Sequence, residues 1–204
     1  MVITSVEKHK NGRYMVYIDG RYSFSIDEDA YISMNFYEKS TITEEEISYI
    51  KNTLNYSAAK AKTINYLSLR IRSEKEVLLK LTTDGYSKET AEKVTDELKS
   101  MGYINDRLFA QKFVYDRSKL KPMSKKMLAA ELQHKGVSSD IISEIINDMD
   151  IDEFSVAEGL VRKKFGKYNL KDEKIIKRIY SFLHHRGYDF EFIQQLINNI
   201  NIVG

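Results

Sequence analysis

A repeat with a period of 51 residues is the feature that most constrains the fold of this chain. A leucine stands four residues before a glycine at three places, Leu81/Gly85, Leu132/Gly136 and Leu183/Gly187. Apolar residues also occupy matching positions four residues before each leucine and directly after each glycine. This pattern predicts a helix with one buried face that ends at a left-handed glycine, where the next apolar residue covers the helix end.

Each repeat unit is expected to contain three helices. An apolar-periodic stretch opens each unit, at residues 58–71, 108–120 and 154–165, and a Ser or Asp that can cap another helix follows each glycine. We therefore predict a mostly α fold with three tandem three-helix repeats, at residues 56–104, 105–151 and 152–204. Such small units should stack into an elongated body that is able to curve.

The first 55 residues follow a different pattern, which predicts strands. Apolar and polar residues alternate along residues 14–18 and 22–26, and Asp19-Gly20 marks a turn between the two runs. The rest of this segment is predicted to be helical, with caps at Asp27 and Thr43. We therefore predict a small N-terminal β-hairpin or meander plus a helical extension at residues 1–55.

Two loops are compatible with the predicted hairpin. A two-residue loop would pair Ile18 with Arg21 and place Val16 opposite Ser23. A three-residue loop with a left-handed glycine would pair Val16 with Tyr22 and keep apolar residues together. We prefer the second loop because it keeps the apolar residues on one face. The first loop would shift one strand by one residue, and such a shift moves every side chain of that strand to the other face.

Composition and motifs argue against several classes of protein. The chain has no cysteine, which removes disulfides, thiolate metal sites and thiol nucleophiles. The four histidines lack the spacing of a metal site, and no nucleophile or phosphate-loop signature is present. No stretch is apolar enough for a membrane span or a signal core. We therefore expect no catalytic residues, no metal, no cofactor, no membrane contact and a cytoplasmic location.

Positive charge recurs at one place in each unit, although the net charge is only +2. Lysines and arginines gather where the first helix of each unit is expected to end, and they comprise Arg70, Arg72, Arg117, Lys119, Lys121, Lys125, Lys126, Arg162, Lys163 and Lys164. Each cation alone is explained by its favourable interaction with a helix C-terminus. In stacked units they would also form a track for phosphates or for an acidic protein surface, and both interpretations stay open.

Three segments carry specific combinations of residues. The first is Tyr66-Leu67-x-x-Arg70-x-Arg72-Ser73-Glu74 with Leu81-x-x-x-Gly85-Tyr86. The second is Leu98-x-x-x-Gly102-Tyr103-Ile104-Asn105-Asp106-x-x-Phe109-Ala110, and the third runs from Pro122-x-Ser124-Lys125-Lys126 to Lys135-Gly136-Val137. Over residues 58–145 the chain resembles the RecX family of regulators. The third unit fits more loosely, and the motifs do not cover residues 1–55.

Resemblance to RecX proteins implies a three-unit helical repeat that binds the RecA recombinase filament on DNA. It implies a regulator that restrains ATP hydrolysis and strand exchange and favours filament loss. An elongated repeat body suits a helical groove, where several modest contacts add through effective concentration. The implied partner is RecA, with direct contact to single- or double-stranded DNA left open, and the protein is expected to be a monomer. The ten cations named above are the candidate contacts.

Three other functions stay open. A free-standing nucleic-acid-binding helical protein would bind DNA without RecA and with a steep salt dependence, which the small net charge disfavours. An enzyme is disfavoured by the absence of motifs, and a scaffold can be separated only by testing partners. The front segment is predicted to pack on the first repeat as a cap; the alternative is that its exposed strand edge contacts the filament or DNA.

Overall fold

The computed structural model of the protein describes residues 1–203, and the side chains of residues 1–200. Its first element is a three-stranded antiparallel sheet with strands β1 (Ile3–Lys8), β2 (Tyr14–Ile18) and β3 (Arg21–Ile26), in that spatial order. Most apolar residues of the two predicted runs share one buried face, which includes Val16, Ile18, Phe24 and Ile26, whereas Tyr22 is 51% exposed. The alternation in the sequence thus corresponds to a sheet with one buried side.

The loop between β2 and β3 differs from the prediction that we preferred. It consists of Asp19 and Gly20 alone, with φ of 49° and 78°, and Ile18 pairs with Arg21 across it. The three-residue loop is therefore wrong. A two-residue turn with positive φ at both positions matches the right-handed twist of the flanking strands, and Asp-Gly is a favoured sequence for it.

A bulge then places apolar residues opposite each other, as the longer loop was expected to do, but in a different register. The register shifts between Val16 and Tyr17, so Val16 lies opposite Phe24 and Tyr17 lies opposite Tyr22. Ser23 is the extra residue of the bulge. The extra residue shifts the rest of β3 by one position relative to β2, so Phe24 and Ile26 lie on the same face as Val16 and Tyr14.

The predicted helix caps are confirmed in the front segment. Helix α1 (Glu28–Ser33) begins after Asp27, whose side chain accepts a hydrogen bond from the backbone N–H of Ala30. Helix α2 (Glu44–Tyr49) begins with a capping box, in which Thr43 and Glu46 each accept a hydrogen bond from the other's backbone N–H. These bonds satisfy N–H groups that have no partner inside the helix.

Helix α2 leads without a break into the first repeat. A π-helical segment, Ile50–Leu54, connects it to α3 (Asn55–Leu69). The boundary that we proposed between residues 55 and 56 therefore lies inside one continuous helical stretch.

Residues 55–203 form three successive sets of three helices. The sets are α3, α4 (Glu74–Thr83) and α5 (Lys88–Ser100); α6 (Asp106–Leu120), α7 (Lys125–His134) and α8 (Ser139–Asn147); and α9 (Glu153–Phe165), α10 (Glu173–His184) and α11 (Phe190–Val203). The prediction of a mostly α fold with three tandem three-helix repeats is confirmed. That prediction carried the third repeat to residue 204, which lies outside the described residues.

The repeated glycines end the second helix of each set as predicted. Gly85, Gly136 and Gly187 have φ of 90°, 88° and 84°. The backbone N–H after each glycine donates to the carbonyl of the repeated leucine, at 3.1 Å for Tyr86 to Leu81, 3.2 Å for Val137 to Leu132 and 3.3 Å for Tyr188 to Leu183. This bond pattern requires a left-handed residue, which glycine adopts without steric cost.

Each repeat has its own hydrophobic cluster, and the front segment has a fourth. Leu81, Leu132 and Leu183 are fully buried, each in the cluster of its own repeat. The chain divides into two compact units at residue 105: the first contains the sheet and helices α1–α5, and the second contains helices α6–α11.

A buried arginine connects the sheet to the first repeat. Arg13 is 4% exposed; its guanidinium donates to Ser25 Oγ at 3.0 Å, to the Ser25 carbonyl at 2.8 Å and to Asn55 Oδ1 at 2.6 Å. Ser25 Oγ donates to the Gly85 carbonyl at 2.6 Å, and the guanidinium lies 4.1 Å from the Tyr86 ring centroid. Burial lowers the pKa of Arg13, because desolvation disfavours the charged form. The front segment thus packs on the first repeat.

Candidate binding surface at the basic junctions

The predicted cations lie around the connections between the first and second helix of each repeat. We call these connections, with the last turn of the preceding helix, the basic junctions: residues 69–73 for the first, 117–126 for the second and 162–172 for the third. Helices α3, α6 and α9 end inside them. The partial negative charge of a helix C-terminus favours lysine and arginine there, which accounts for part of the clustering.

Both arginines of the first junction have intramolecular partners. The Arg70 guanidinium contacts both carboxylate oxygens of Glu76 at 3.2 Å, and it also donates to the Ile71 carbonyl at 3.0 Å. Arg72 stacks on Tyr66 at 3.9 Å, and its Nε is buried without a hydrogen-bond partner. This junction therefore presents less positive charge to a ligand than its sequence suggests.

The second junction combines engaged and accessible cations. Arg117 forms an ion pair with Glu131 at 3.0 Å, and Lys119 Nζ donates to the hydroxyl of Tyr115 at 2.6 Å. Lys125 Nζ donates to the Met149 carbonyl at 2.8 Å, and the Lys125 backbone N–H donates to Glu153 Oε1 at 2.8 Å. Lys125 therefore contributes to the packing between the second and third repeats.

The third junction also contains both cations with intramolecular partners and an accessible cation. Arg162 forms an ion pair with Glu158 at 2.7 Å, one helical turn earlier. Lys164 Nζ lies 4.1 Å from the ring centroid of Phe182. Lys163 is exposed and, within the described residues, has neither a hydrogen bond nor an ion pair.

The ten predicted cations fall into three groups. Those paired with a carboxylate are Arg70, Arg117 and Arg162. Those held by an aromatic ring, a hydroxyl or a backbone carbonyl are Arg72, Lys119, Lys125 and Lys164. Those exposed with no hydrogen bond or ion pair in the part of the chain that the structure describes are Lys121, Lys126 and Lys163. The first group is neutralised by carboxylates, whereas the second and third groups keep their positive charge.

Two exposed leucines at the junctions were missed by the sequence reasoning. Leu69 ends α3 and is 78% exposed, and Leu120 ends α6 and is 84% exposed. The two leucines are separated by one repeat period, and Lys171 occupies the equivalent position in the third repeat. Both leucines lie within the apolar-periodic stretches 58–71 and 108–120, and periodicity does not reveal where a helix extends past its neighbours. The 51-residue spacing was the signal that could have singled them out.

Among the described residues, no group of three or more His, Asp or Glu side chains is placed to hold a metal ion. In the same part of the chain, no helix is long and apolar enough to cross a bilayer.

Family models match the chain over most of its length. The first, second and third three-helix domains of RecX match residues 59–98, 105–146 and 150–197. The model of the regulatory protein RecX N-terminal domain matches residues 1–43, a segment that the sequence motifs had not covered.

Individual relatives and solved structures agree with the family models. Regulatory protein RecX of Clostridioides difficile (strain 630) is 30% identical, with 98% of this chain and 95% of the relative covered. The Caldanaerobacter subterraneus subsp. tengcongensis protein of the same name is 27% identical, with 97% and 99% covered. A crystal structure of regulatory protein RecX covers 97% of this chain and 98% of its own with a TM-score of 0.64 at 22% identity, which supports the fold.

Proposed function

Because the chain belongs to the RecX family of regulatory proteins, we propose that it is a negative regulator of the RecA recombinase. It binds in the groove of the RecA–DNA filament, slows ATP hydrolysis and strand exchange, and favours filament disassembly. It acts in the cytoplasm as a monomer.

The observation that carries this proposal is the repeated pair of exposed leucines beside basic residues. Leu69 precedes Arg70, and Leu120 lies between Lys119 and Lys121. A large apolar side chain that is mostly exposed at the same position of two repeats fits a protein partner that supplies an apolar pocket. The neighbouring cations fit a partner surface with acidic residues around that pocket.

Repetition of the contact also supports a polymeric partner. A filament presents the same pocket on each successive protomer, so a protein with two equivalent contacts can occupy two protomers at once. The second contact then forms at a high effective concentration, and modest single contacts give strong binding. Activity at less than one molecule per RecA protomer follows from this arrangement.

A free-standing nucleic-acid-binding protein remains the second candidate. The uncompensated lysines Lys121, Lys126 and Lys163 support it, since they are available for phosphate contacts. A phosphate backbone offers no pocket for an exposed leucine. The leucine pair therefore favours the regulator over the free-standing DNA binder.

The test is RecA's DNA-dependent ATP hydrolysis with this protein added in sub-stoichiometric amounts. Strong suppression of hydrolysis is the expected result. Undiminished hydrolysis by filaments that do not bind the protein would overturn the proposal, and tight DNA binding without RecA would then support the second candidate.

The leucine pair provides a sharper version of this experiment. A leucine that becomes fully buried contributes about 1.5–3 kcal/mol, so each of Leu69→Ser and Leu120→Ser is expected to raise the half-inhibitory concentration at least about tenfold. The double variant is expected to raise it at least about a hundredfold, because the two sites share no partner and their contributions add. Inhibition of ATP hydrolysis and circular dichroism are measured together.

Leu79→Ser is the matched control. Leu79 lies on α4, is 63% exposed, and has alanine rather than leucine one repeat period later. Its replacement should leave inhibition unchanged. Equal losses for the control and the junction variants would show that the junction leucines have no special role.

Charge reversal at the second junction tests the electrostatic part of the contact. Lys121→Glu with Lys126→Glu is expected to weaken inhibition about tenfold, mostly through slower association. These two lysines are chosen because they have no intramolecular partner among the described residues, whereas Lys125 is bonded to the Met149 carbonyl.

The control for that variant keeps the same change in net charge. Lys10→Glu with Lys51→Glu replaces two exposed lysines of the first unit that lie outside the junctions. If the control weakens inhibition to the same extent, total charge rather than the second junction determines the effect.

A further inference from the structure

A basic pocket lies between α9 and α10 in the third repeat. It has a volume of about 330 Å³ and is lined by Lys164, Phe165, Arg178, Phe182, His185 and Arg186. This volume lies at the lower end of the range for small-ligand sites, about 300–1,000 Å³. Of its cations, only Lys164 was among the candidates predicted from the sequence.

Aromatic rings hold the three cations in place. Lys164 Nζ and Arg186 Cζ lie 4.1 and 3.8 Å from the centroid of the same ring, that of Phe182. Arg178 Cζ lies 5.8 Å from the centroid of Phe165. The lining contains no carboxylate, and none of the three forms an ion pair with another described residue. The pocket therefore differs from the junctions, where Arg70, Arg117 and Arg162 are neutralised.

Helix dipoles compensate only part of this charge. Helices α9 and α10 both end beside the pocket, at Phe165 and His184. Each C-terminus carries about half a negative charge, so together they offset roughly one of the three positive charges. The buried Nε of Arg186 also has no hydrogen-bond partner. An anion with several acceptor oxygens would supply both the missing charge and hydrogen-bond acceptors.

We propose that this pocket binds a backbone phosphate of single-stranded nucleic acid. Two guanidinium groups and one ammonium group can surround a phosphate, and arginine forks match the spacing of its oxygens. Unlike the first two junctions, the third has Lys171 rather than leucine at the repeated exposed position, so it lacks the apolar contact that we assign to protein.

An exposed aromatic ring beside the pocket favours nucleic acid over an acidic peptide. Tyr168 is 45% exposed, and its ring centroid lies 5.5 Å from Arg178 Cζ. Cations that follow the backbone, combined with an aromatic ring on which a base can stack, are the usual elements of a single-strand binding site. Carboxylates of a peptide would satisfy the cations but would make no use of the ring.

The test is fluorescence anisotropy of a labelled single-stranded oligonucleotide of about 20 nucleotides with the full chain and no RecA. Lys164→Gln and Arg178→Gln are each expected to weaken binding three- to tenfold at low salt. Each should also reduce the slope of log affinity against log salt by about 0.7. Tyr168→Leu is expected to weaken binding about tenfold with an unchanged slope, because stacking releases no counterion.

Lys177→Gln is the matched control. Lys177 is an exposed lysine of α10, the helix that carries Arg178, and it does not line the pocket. If it weakens binding as much as Lys164→Gln does, the attraction comes from positive charge spread over the surface, and the assignment of the phosphate to the pocket fails. No binding of the oligonucleotide by the unaltered chain would also overturn the proposal.

Two competitors test the chemical class of the ligand. Polyglutamate should displace the oligonucleotide poorly at equal charge; efficient displacement would assign the pocket to an acidic protein. Efficient displacement by ATP at equal phosphate concentration would assign it to a free nucleotide. Because RecA is absent from this assay, failure here leaves the RecA proposal untouched, and failure of the ATPase experiment leaves the pocket untouched.

Discussion

Replacement of Arg13 by alanine is expected to lower the free energy of unfolding of the first unit by about 2–4 kcal/mol. The guanidinium makes three hydrogen bonds to Ser25 and Asn55 in a site from which water is largely excluded. Without the guanidinium, the Ser25 carbonyl loses one of its two side-chain donors, and Asn55 Oδ1 loses the hydrogen bond that Arg13 donates to it. Buried polar atoms that lose their partners are costly, and the stacking on Tyr86 is lost as well.

Two further variants make this prediction specific. Arg13→Lys keeps the charge but lacks the planar fork that reaches three acceptors, so it should rescue little of the stability. Arg21→Ala removes an exposed arginine at the start of β3 and should change stability by less than about 0.5 kcal/mol. Urea unfolding followed by circular dichroism measures all three. An Arg13→Ala variant as stable as Arg21→Ala would show that the buried network is not important.

Replacement of Gly187 by alanine is expected to destabilise the second unit by about 3 kcal/mol. The residue has φ of 84°, which costs an L side chain roughly 1–2 kcal/mol. An added Cβ would also lie 2.5 Å from Met127 Cβ and 2.5 Å from Ser124 Oγ. Ser124 caps α7 by accepting a hydrogen bond from Met127 N at 3.1 Å, and its own N–H donates to the Arg186 carbonyl at 2.9 Å. The clash therefore displaces a helix start.

Gly102→Ala separates the backbone strain at positive φ from the steric clash of the added Cβ. Gly102 has φ of 80°, but nothing lies within 4 Å of its missing Cβ, so only the backbone strain of about 1–2 kcal/mol is expected. Thermal and urea unfolding of both variants give the comparison. Equal losses would mean that steric contact with α7 contributes nothing.

The environment after Gly187 explains why displacement there is costly. Tyr188 is buried in the cluster of the third repeat, and burial raises the pKa of its hydroxyl to about 12. Its neighbour Arg186 packs on Phe182 at the edge of the basic pocket. Loosening of this turn would therefore affect both the core and the proposed phosphate site.

Much of the fold could be predicted from the sequence because it depends on local rules. A glycine after a helix with apolar residues at −8 and −4 specifies a left-handed cap, and all three repeat glycines adopt it. The caps at Asp27 and Thr43 form as their residue types dictate. The prediction of the hairpin loop was wrong because the preference for apolar pairs was taken to require a longer loop. A bulge at Ser23 instead places Val16 opposite Phe24 rather than Tyr22, so apolar residues still face each other.

The candidate site was only partly predictable, because the availability of a cation depends on its neighbours in space. Arg117 meets Glu131 from the next helix, and Lys125 meets the Met149 carbonyl after α8. Neither partner lies within one helical turn in the sequence. Arg178 and Arg186 were overlooked because they belong to the second helix of the third repeat and its cap, away from the junctions.

The sequence by itself determined the number of repeats, the position of their helix ends and the placement of positive charge beside those ends. These features follow from periodicity, glycine geometry and helix dipoles, which act over a few residues. Tertiary structure alone decided that Arg117 is neutralised, that Leu69 and Leu120 stay exposed, and that Lys164, Arg178 and Arg186 share one pocket. Burial and ion pairing join residues that are distant in the chain, and packing sets those distances.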